Sequence, residues 1–400
     1  IKNQFQKKVS LYEIFSSCIQ LYFIFHAHNF GFRDLRVFPA EEKRTAKLYQ
    51  EARKNLSRES SEEHEDCLSA EESSPKTVPV LCENINDLNE DILLMIFSYL
   101  EIKDRIRFER VCKKWKTLLS RVWHTQETLH FHNVFSVFRG SPLTTQILKS
   151  LLRRCGPGLK TLDLSTASHQ LDFQVTEILG QFSPNLESIN LSGIDLTNVS
   201  LQQMSQKCRN LKMVVLQRCL NIGEKGVWWL FNLCKDLEYV DLSRNMKITG
   251  QCFHIAGPHL RRVVLNACSQ LSPAGVGKIA IKCPQLRALY LNDCSQITDQ
   301  AVVTLCKNLP ELQVLHLGGV FIQLSASGLC HIGRLQNLEE LSLSHNAVVN
   351  DDVIDAVSHG CEKLRYLDIS GCNEGVTDLS LESLSTSLQL RTLYISYCGK

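Results

Sequence analysis

From Leu159 onward the apolar residues hold a fixed register, L-x-x-L-x-L-x-x-C/N. It opens at Leu159, Leu186, Leu211, Leu237, Leu260, Leu286, Leu312, Leu338, Leu364 and Leu390, with steps of 27, 25, 26 and 23 and then five of 26 residues. Random sequence does not keep such a register ten times over. The unit 286–311 (LRALYLNDCSQITDQAVVTLCKNLPE) contains two periods. Leu289 and Leu291 alternate as on one face of a strand, with Ala288, Tyr290 and Asn292 on the other. Thr298 then stands as a helix N-cap, and Ala301, Val302, Leu305 and Cys306 follow at helical spacing. Thr249, Ser272, Asn350 and Thr377 take the same capping place in other units. One strand and one helix cannot close a core alone, so the pattern predicts an α/β solenoid in which each unit stacks on its neighbours.

The ninth template position is Cys219, Cys268, Cys294, Cys372 and Cys398, with Asn245 and Asn346 as substitutes. A small side chain there suits a buried turn in which it packs beneath, or satisfies, backbone groups. Cys155, Cys208, Cys234, Cys283 and Cys361 each precede an opening leucine and read as helix-end packing residues. The period and template resemble those of leucine-rich repeats. That resemblance implies a horseshoe whose concave face is lined by the strand positions between the leucines.

A different pattern precedes the repeats, NINDLNEDILLMIFSYLEIKDRIRFERVCKKWKTLLSRVW at 84–123. Ile92, Leu93, Ile96, Phe97 and Leu100 form one stripe of a short helix, with Glu90 and Asp91 in its first turn. Asp104 is placed to cap a second helix carrying Ile106, Val111, Cys112, Trp115, Leu118, Leu119 and Trp123. About 40 residues make a small core and leave apolar surface for a partner to cover. The residues L88-x-x-x-I92-L93-x-x-I96-F97-S98-Y99-L100 and V111-C112-x-x-W115 resemble an F-box. Two departures stand out: Asn89 replaces the usual helix-starting proline, and Arg105 stands where leucine is common. Asn89 is expected to cap the helix instead, weakening the module without abolishing it.

Over 84–400 the chain is therefore similar to the F-box/leucine-rich-repeat class. The fold expected is α/β, a leucine-rich-repeat solenoid preceded by a small all-α F-box. The domains are an aromatic N-terminal segment at 1–40, an acidic flexible linker at 41–82, the F-box at 83–130, a transition at 131–158 and the repeats at 159–400. The resemblance implies binding of the acidic Skp adaptor, and through it a cullin, by Leu88, Ile92, Leu93, Ile96, Phe97, Leu100, Val111, Cys112 and Trp115. Lys103, Arg105, Arg107, Arg110, Lys113, Lys114, Lys116 and Arg121 would steer such a partner. Trp115 is expected to be core with a partly shared edge.

The first 25 residues place Lys2, Lys7 and Lys8 before an apolar run, VSLYEIFSSCIQLYFIF at 9–25. Glu13 and Gln20 interrupt that run and it is shorter than a span of ~20 residues, so neither a signal peptide nor a membrane helix is expected. Beginning on Ile1 and stopping at Lys400 inside a repeat, the sequence reads as a piece of a longer chain, with fraying expected at the last repeat. Residues 57–75, SRESSEEHEDCLSAEESSP, carry almost no large apolar side chain and bury too little to offset their ordering entropy. Ser60, Ser61, Ser69, Ser73 and Ser74 are the candidate phosphate acceptors there.

Composition changes the picture little. Forty-four per cent hydrophobic and 22% charged residues are ordinary for a globular chain, and a net charge of +2 creates no bulk field for nucleic acid or lipid. Seventeen cysteines in apolar, repeat-spaced settings read as reduced thiols, so a cytoplasmic or nuclear setting is expected. Zinc-ligand spacing is absent, and His124, His130 and His132 lack cysteine or carboxylate partners at such spacing. SPAGVGKI at 272–279 fails as a phosphate loop because Ser272 and Ile279 stand where Gly and Ser/Thr are required. No catalytic constellation, cofactor or metal is expected.

The middle repeats are expected to place Met213, Val215, Arg218, Tyr239, Arg244, Arg262, Val264, Tyr290 and His316 on the concave face. Aromatic and arginine side chains anchor protein interfaces, so this is the expected substrate surface. The first repeats place Asp163, Ser165, Asn190 and Ser192 there, expected as a solvated face. Trp228 and Trp229 are expected to pack under the shortened unit 237–259, a second interaction surface being the other reading. The resemblance thus implies a noncatalytic SCF ubiquitin-ligase subunit that binds a protein substrate, with no nucleic acid and no membrane span. A repeat scaffold without ligase assembly is the alternative.

Overall fold

Leucines held at one register build one ladder. The computed structural model describes residues 85–131, 142–372, 375–387 and 389–398, and the chain divides into two compact units, 1–99 and 100–400. The expected aromatic segment and acidic linker, together with 132–141 of the transition, lie outside the described residues.

In the first unit the helix α1 spans Glu90–Ser98. Asn89 is its N-cap: the side chain accepts the Asp91 N–H at 3.4 Å, doing what a preset proline φ would do. The second unit opens with α2, Ile102–Phe108, and α3, Lys113–His124. The single second helix expected is thus two. Cys112 turns extended (φ −157°) and its Sγ accepts the Trp115 N–H at 3.5 Å, so it ends one run and caps the next. Glu101 rather than Asp104 occupies the cap of α2, and Asp104 pairs with Arg107 at 3.1 Å inside the first turns.

Among the described residues, eleven three-residue strands follow in one parallel sheet, neighbours in space being neighbours in sequence. They are β1 Thr128–His130, β2 Thr161–Asp163, β3 Ser188–Asn190, β4 Met213–Val215, β5 Tyr239–Asp241, β6 Arg262–Val264, β7 Ala288–Tyr290, β8 Val314–His316, β9 Glu340–Ser342, β10 Tyr366–Asp368 and β11 Thr392–Tyr394. The fourth template residue is the centre of each strand, and register aligns Leu129, Leu162, Ile189, Val214, Val240 and onward to Leu393. The ladder therefore starts one rung before the first template leucine, in β1.

The opposite layer holds α4 Thr145–Cys155, α5 Gln174–Phe182, α6 Asn198–Lys207, α7 Glu224–Leu233, α8 Pro273–Lys282, α9 Asp299–Asn308, α10 Ala326–Leu329, α11 Asp351–Gly360 and α12 Asp378–Ser387. Thr298, Ser272 and Asn350 are N-caps as expected. Thr249 is not: the 23-residue unit has no room for an α-helix and folds a 3-10 turn, Gln251–Ile255, after Gly250 at φ 87°. One apolar cluster runs from Trp123 to Leu384 between the layers.

Three repeated ties hold rung to rung. At the ninth position the Sγ of Cys219, Cys268, Cys294, Cys372 and Cys398 donates to the carbonyl of the preceding rung's sixth residue at 3.1 to 3.3 Å. Asn245 and Asn346 make the same bond through Nδ2 to Leu216 and Leu317. This meets the expectation from the sequence and explains why Cys and Asn alternate. A second tie uses the first residue of a helix: Asn198, Glu224, Asp299 and Asp351 accept N–H groups of Gly223, Thr249, Ser325 and Thr377 in the next rung. The third is conformational. The eighth position is left-handed at Arg218, Arg244, Ala267, Asp293, His345 and Tyr397, with φ 56 to 62°, and at Gly193, Gly319 and Gly371. Backbone N–H groups there reach the next rung, as Arg218 does to the Ser243 carbonyl at 3.0 Å.

Candidate functional site

Strand geometry decides which side chains remain for binding. With the central aliphatic residue of each strand turned inward, the residues on either side face outward across the sheet. Four of these join across consecutive strands β6 to β9. Arg262 Cζ lies 5.9 Å from the Tyr290 ring, Tyr290 meets His316 with ring centres 4.6 Å apart and planes tilted by 58°, and His316 Nε2 meets Glu340 Oε1 at 2.6 Å. Ala288, the small first residue of β7, is buried and leaves room for this line. Tyr239 pairs in register with Arg262 on the other side. Burial, and then the Asp241 carboxylate, push the Tyr239 phenol above its ordinary pKa, and burial does the same to Tyr290.

Sequence reasoning brought Tyr239, Arg262, Tyr290 and His316 to one face, and the structure places them side by side. Glu340 was missed, because a lone acid beside a leucine carries no signal until its register partner is known. Met213 is exposed on β4, while Val215 and Val264 are buried. Arg218 and Arg244 sit in the left-handed turn after their strands, exposed along its edge rather than on the sheet. Asp163 and Asn190 are not simply solvated: each accepts the N–H and hydroxyl of the serine two residues on, Ser165 at 2.9 and 2.7 Å and Ser192 at 3.1 and 2.6 Å.

Of the nine residues assigned to an adaptor, Leu93, Ile96, Phe97 and Trp115 are buried. Leu88, Ile92 and Leu100 are half-buried, and Val111 and Cys112 exposed. On α1 the large apolar residues that face outward are Met95 and Tyr99, 46% and 69% exposed and one helical turn apart. Sequence reasoning passed over both because they lie off the main stripe. Trp115 packs on Phe108 at 5.4 Å. Arg105, one of the eight basic residues assigned to the steering face, is buried. Its Nε donates to the Leu100 carbonyl at 2.8 Å and its Nη1 to Gln126 at 2.7 Å, and burial lowers its pKa.

On the helical side, the short turn Gln251–Ile255 leaves a recess of about 580 Å³ between α7 and α8. Trp228 lines it, in edge contact with Trp229 at 4.9 Å, and both rings are half-buried. Among the described residues, no three His, Cys, Asp or Glu side chains are grouped to hold a metal, and no helix is long and apolar enough to cross a membrane.

Residues 85–126 match the F-box domain family. A Caenorhabditis elegans protein named as a candidate RNA-binding protein, EEED8.10, is 27% identical over 78% of this chain and 42% of its own length. Human F-box/LRR-repeat protein 12 is 31% identical over 32% of this chain and 39% of its own length. The chain thus spans about two fifths of these curated relatives. The crystal structure of the yeast Rad7 and Elc1 complex superposes with a TM-score of 0.55 at 17% identity, covering 90% of this chain and 87% of that one, a likeness of fold.

Proposed function

Because this chain belongs to the F-box/leucine-rich-repeat protein family, we propose that it is a noncatalytic substrate receptor of an SCF-type ubiquitin ligase. The F-box binds a Skp adaptor and, through it, a cullin, while the sheet face presents Tyr239, Arg262, Tyr290 and His316 to a protein substrate. Holding the substrate beside a conjugating enzyme raises its effective concentration, and the chemistry belongs to that enzyme. The observation that carries the reading is the F-box match at 85–126 directly ahead of the ladder.

The apolar pair Met95 and Tyr99 is the contact we assign to the adaptor. Ile96 and Phe97 are buried, so replacing them would test folding rather than contact. Met95→Asp/Tyr99→Asp is the cleaner probe. The wild type is expected to retain Skp adaptor and cullin in a pull-down, and the double variant to lose both with its circular dichroism unchanged. A wild type that retains neither is a scaffold outside the ligase, and a variant that still binds moves the contact elsewhere.

A further inference from the structure

Charge is unevenly spread on this nearly neutral chain. Helices α3 and α4 together carry Lys113, Lys114, Lys116, Arg121, Lys149, Arg153 and Arg154, and no Asp or Glu. Basic residues in the last turns, such as Arg153 and Arg154, complement a helix dipole and need no further reason. Lys113, Lys114 and Lys116 have no such reason, since they stand in the first turn of α3, where the dipole disfavours cations.

The two helices enclose a cleft of about 470 Å³ lined by Lys116, Ser120, His124, Ser150, Arg153 and Arg154. The lining has one acid, Glu109, and it is occupied. Trp123 Nε1 donates to it at 2.7 Å, and the Arg154 fork donates at 3.0 Å through Nε and Nη2. Arg154 is further fixed through Nη1 to the Ser150 hydroxyl and carbonyl at 2.5 and 3.1 Å. Arg153 is steadied by the Phe182 ring, 5.6 Å from its Cζ. Positioned cations, two hydroxyls and a ring nitrogen thus line a space of ligand size.

We propose that this cleft binds a small molecule bearing two or more phosphate groups. Phosphate rather than carboxylate fits because Lys116, Arg153 and the Ser120 hydroxyl remain once the Arg154 fork is bound to Glu109, and a phosphate offers three acceptor oxygens to such a set. The inference uses neither Met95 and Tyr99 nor the sheet face, and shares with the cations assigned to adaptor steering only Lys116 of the lining.

Inorganic tripolyphosphate titrated calorimetrically into the full chain at low ionic strength is the test. Lys116→Ala/Arg153→Ala should bind at least about tenfold more weakly, the scale of losing one charge-assisted hydrogen bond. Ser120→Glu, which places a negative charge in the cleft from an exposed position, should do the same. Lys113→Ala/Lys114→Ala, an equal loss of charge outside the lining, should stay within about twofold of wild type. Equal weakening by both lysine-containing pairs would reduce the effect to diffuse charge and overturn the site, as would no binding, or competition by sulfate at matched ionic strength. Displacement by the unphosphorylated peptide 57–75 would make the occupant a carboxylate-rich segment, and tighter binding of a short single-stranded RNA would make it a polymer. Either result overturns the proposal.

Discussion

The Arg105 guanidinium lies over the Trp123 indole, 5.3 Å from the ring to Cζ, and joins α2 to the end of α3. A cation at a place where the F-box family commonly has leucine is thereby turned inward and satisfied by Leu100 and Gln126. Arg105→Ala should lower unfolding free energy by about 2–4 kcal/mol, because it strands two acceptors and removes a buried stack. Arg105→Leu should cost less than half as much, since apolar replacement of a buried ion is often tolerated. Urea midpoints of the two variants decide this. An alanine variant as stable as the leucine one would mean that packing over Trp123 contributes nothing, and a leucine variant as stable as wild type that the bonds to Leu100 and Gln126 add nothing net.

Two glycines of one helix should respond with opposite signs. A Cβ on Gly275 would lie 2.1 Å from the Thr249 carbonyl oxygen and 2.8 Å from the Gly250 Cα, so the first turn of α8 can approach the preceding rung only without one. Gly277 meets nothing nearer than Thr304 Cγ2 at 4.0 Å. Gly275→Ala should destabilise by about 1–3 kcal/mol through overpacking, and Gly277→Ala should stabilise by about 0.5–1 kcal/mol through lower unfolded-state entropy. Thermal melts of the pair check both signs at once.

The thiols that tie rung to rung make the fold sensitive to alkali. Burial raises the Cys219 and Cys294 pKa values from 9.0 to about 12, and those of Cys268 and Cys372 to about 11. A folded value above the unfolded one means the native state keeps protons that the unfolded chain releases. The stabilisation is whole below pH 9 and is lost as pH rises toward 11 to 12. The urea midpoint should therefore fall between pH 8.5 and 10.5, conditions chosen to bracket about the first half of that window. The fall should be shallower in Cys219→Ser/Cys294→Ser. Below that range, iodoacetamide followed by mass spectrometry should mark exposed Cys112 far faster than any of these four. Equal labelling would mean that the rungs open readily.

Much of this was legible from the residues because the repeat is periodic. Ten leucines recurring every 23 to 27 residues set the sheet order, the N-caps at Ser272, Thr298 and Asn350, and the role of the ninth-position cysteines. What escaped has no periodic signature. Arg218, Ala267 and Tyr397 adopt a conformation that glycine would announce, and none is glycine. The burial of Arg105 depends on Gln126, 21 residues away. The cleft between α3 and α4 needs lining residues from two helices that the repeat template does not reach. Thr249 misled because the cap pattern survives in a unit too short for the helix it would cap.

The line from Arg262 through Tyr290 and His316 to Glu340 should matter to capture more than to folding. Tyr239 and Tyr290 are half-buried, so truncating them forfeits part of a ring's burial and its contacts, about 1–2 kcal/mol each in a ladder whose core they do not enter. At an interface the same rings act as anchors, where truncation commonly costs about 2 kcal/mol or more in binding, over tenfold in affinity. Tyr239→Ala/Tyr290→Ala should therefore stay folded yet lose partners in proximity labelling under proteasome inhibition. Thr161→Ala/Ser188→Ala on β2 and β3, the same face several rungs away, is the control and should leave the labelled set intact. If the tyrosine variant labels the same proteins as wild type, the grip lies off this line, and the recess beside Trp228 becomes the next surface to remove.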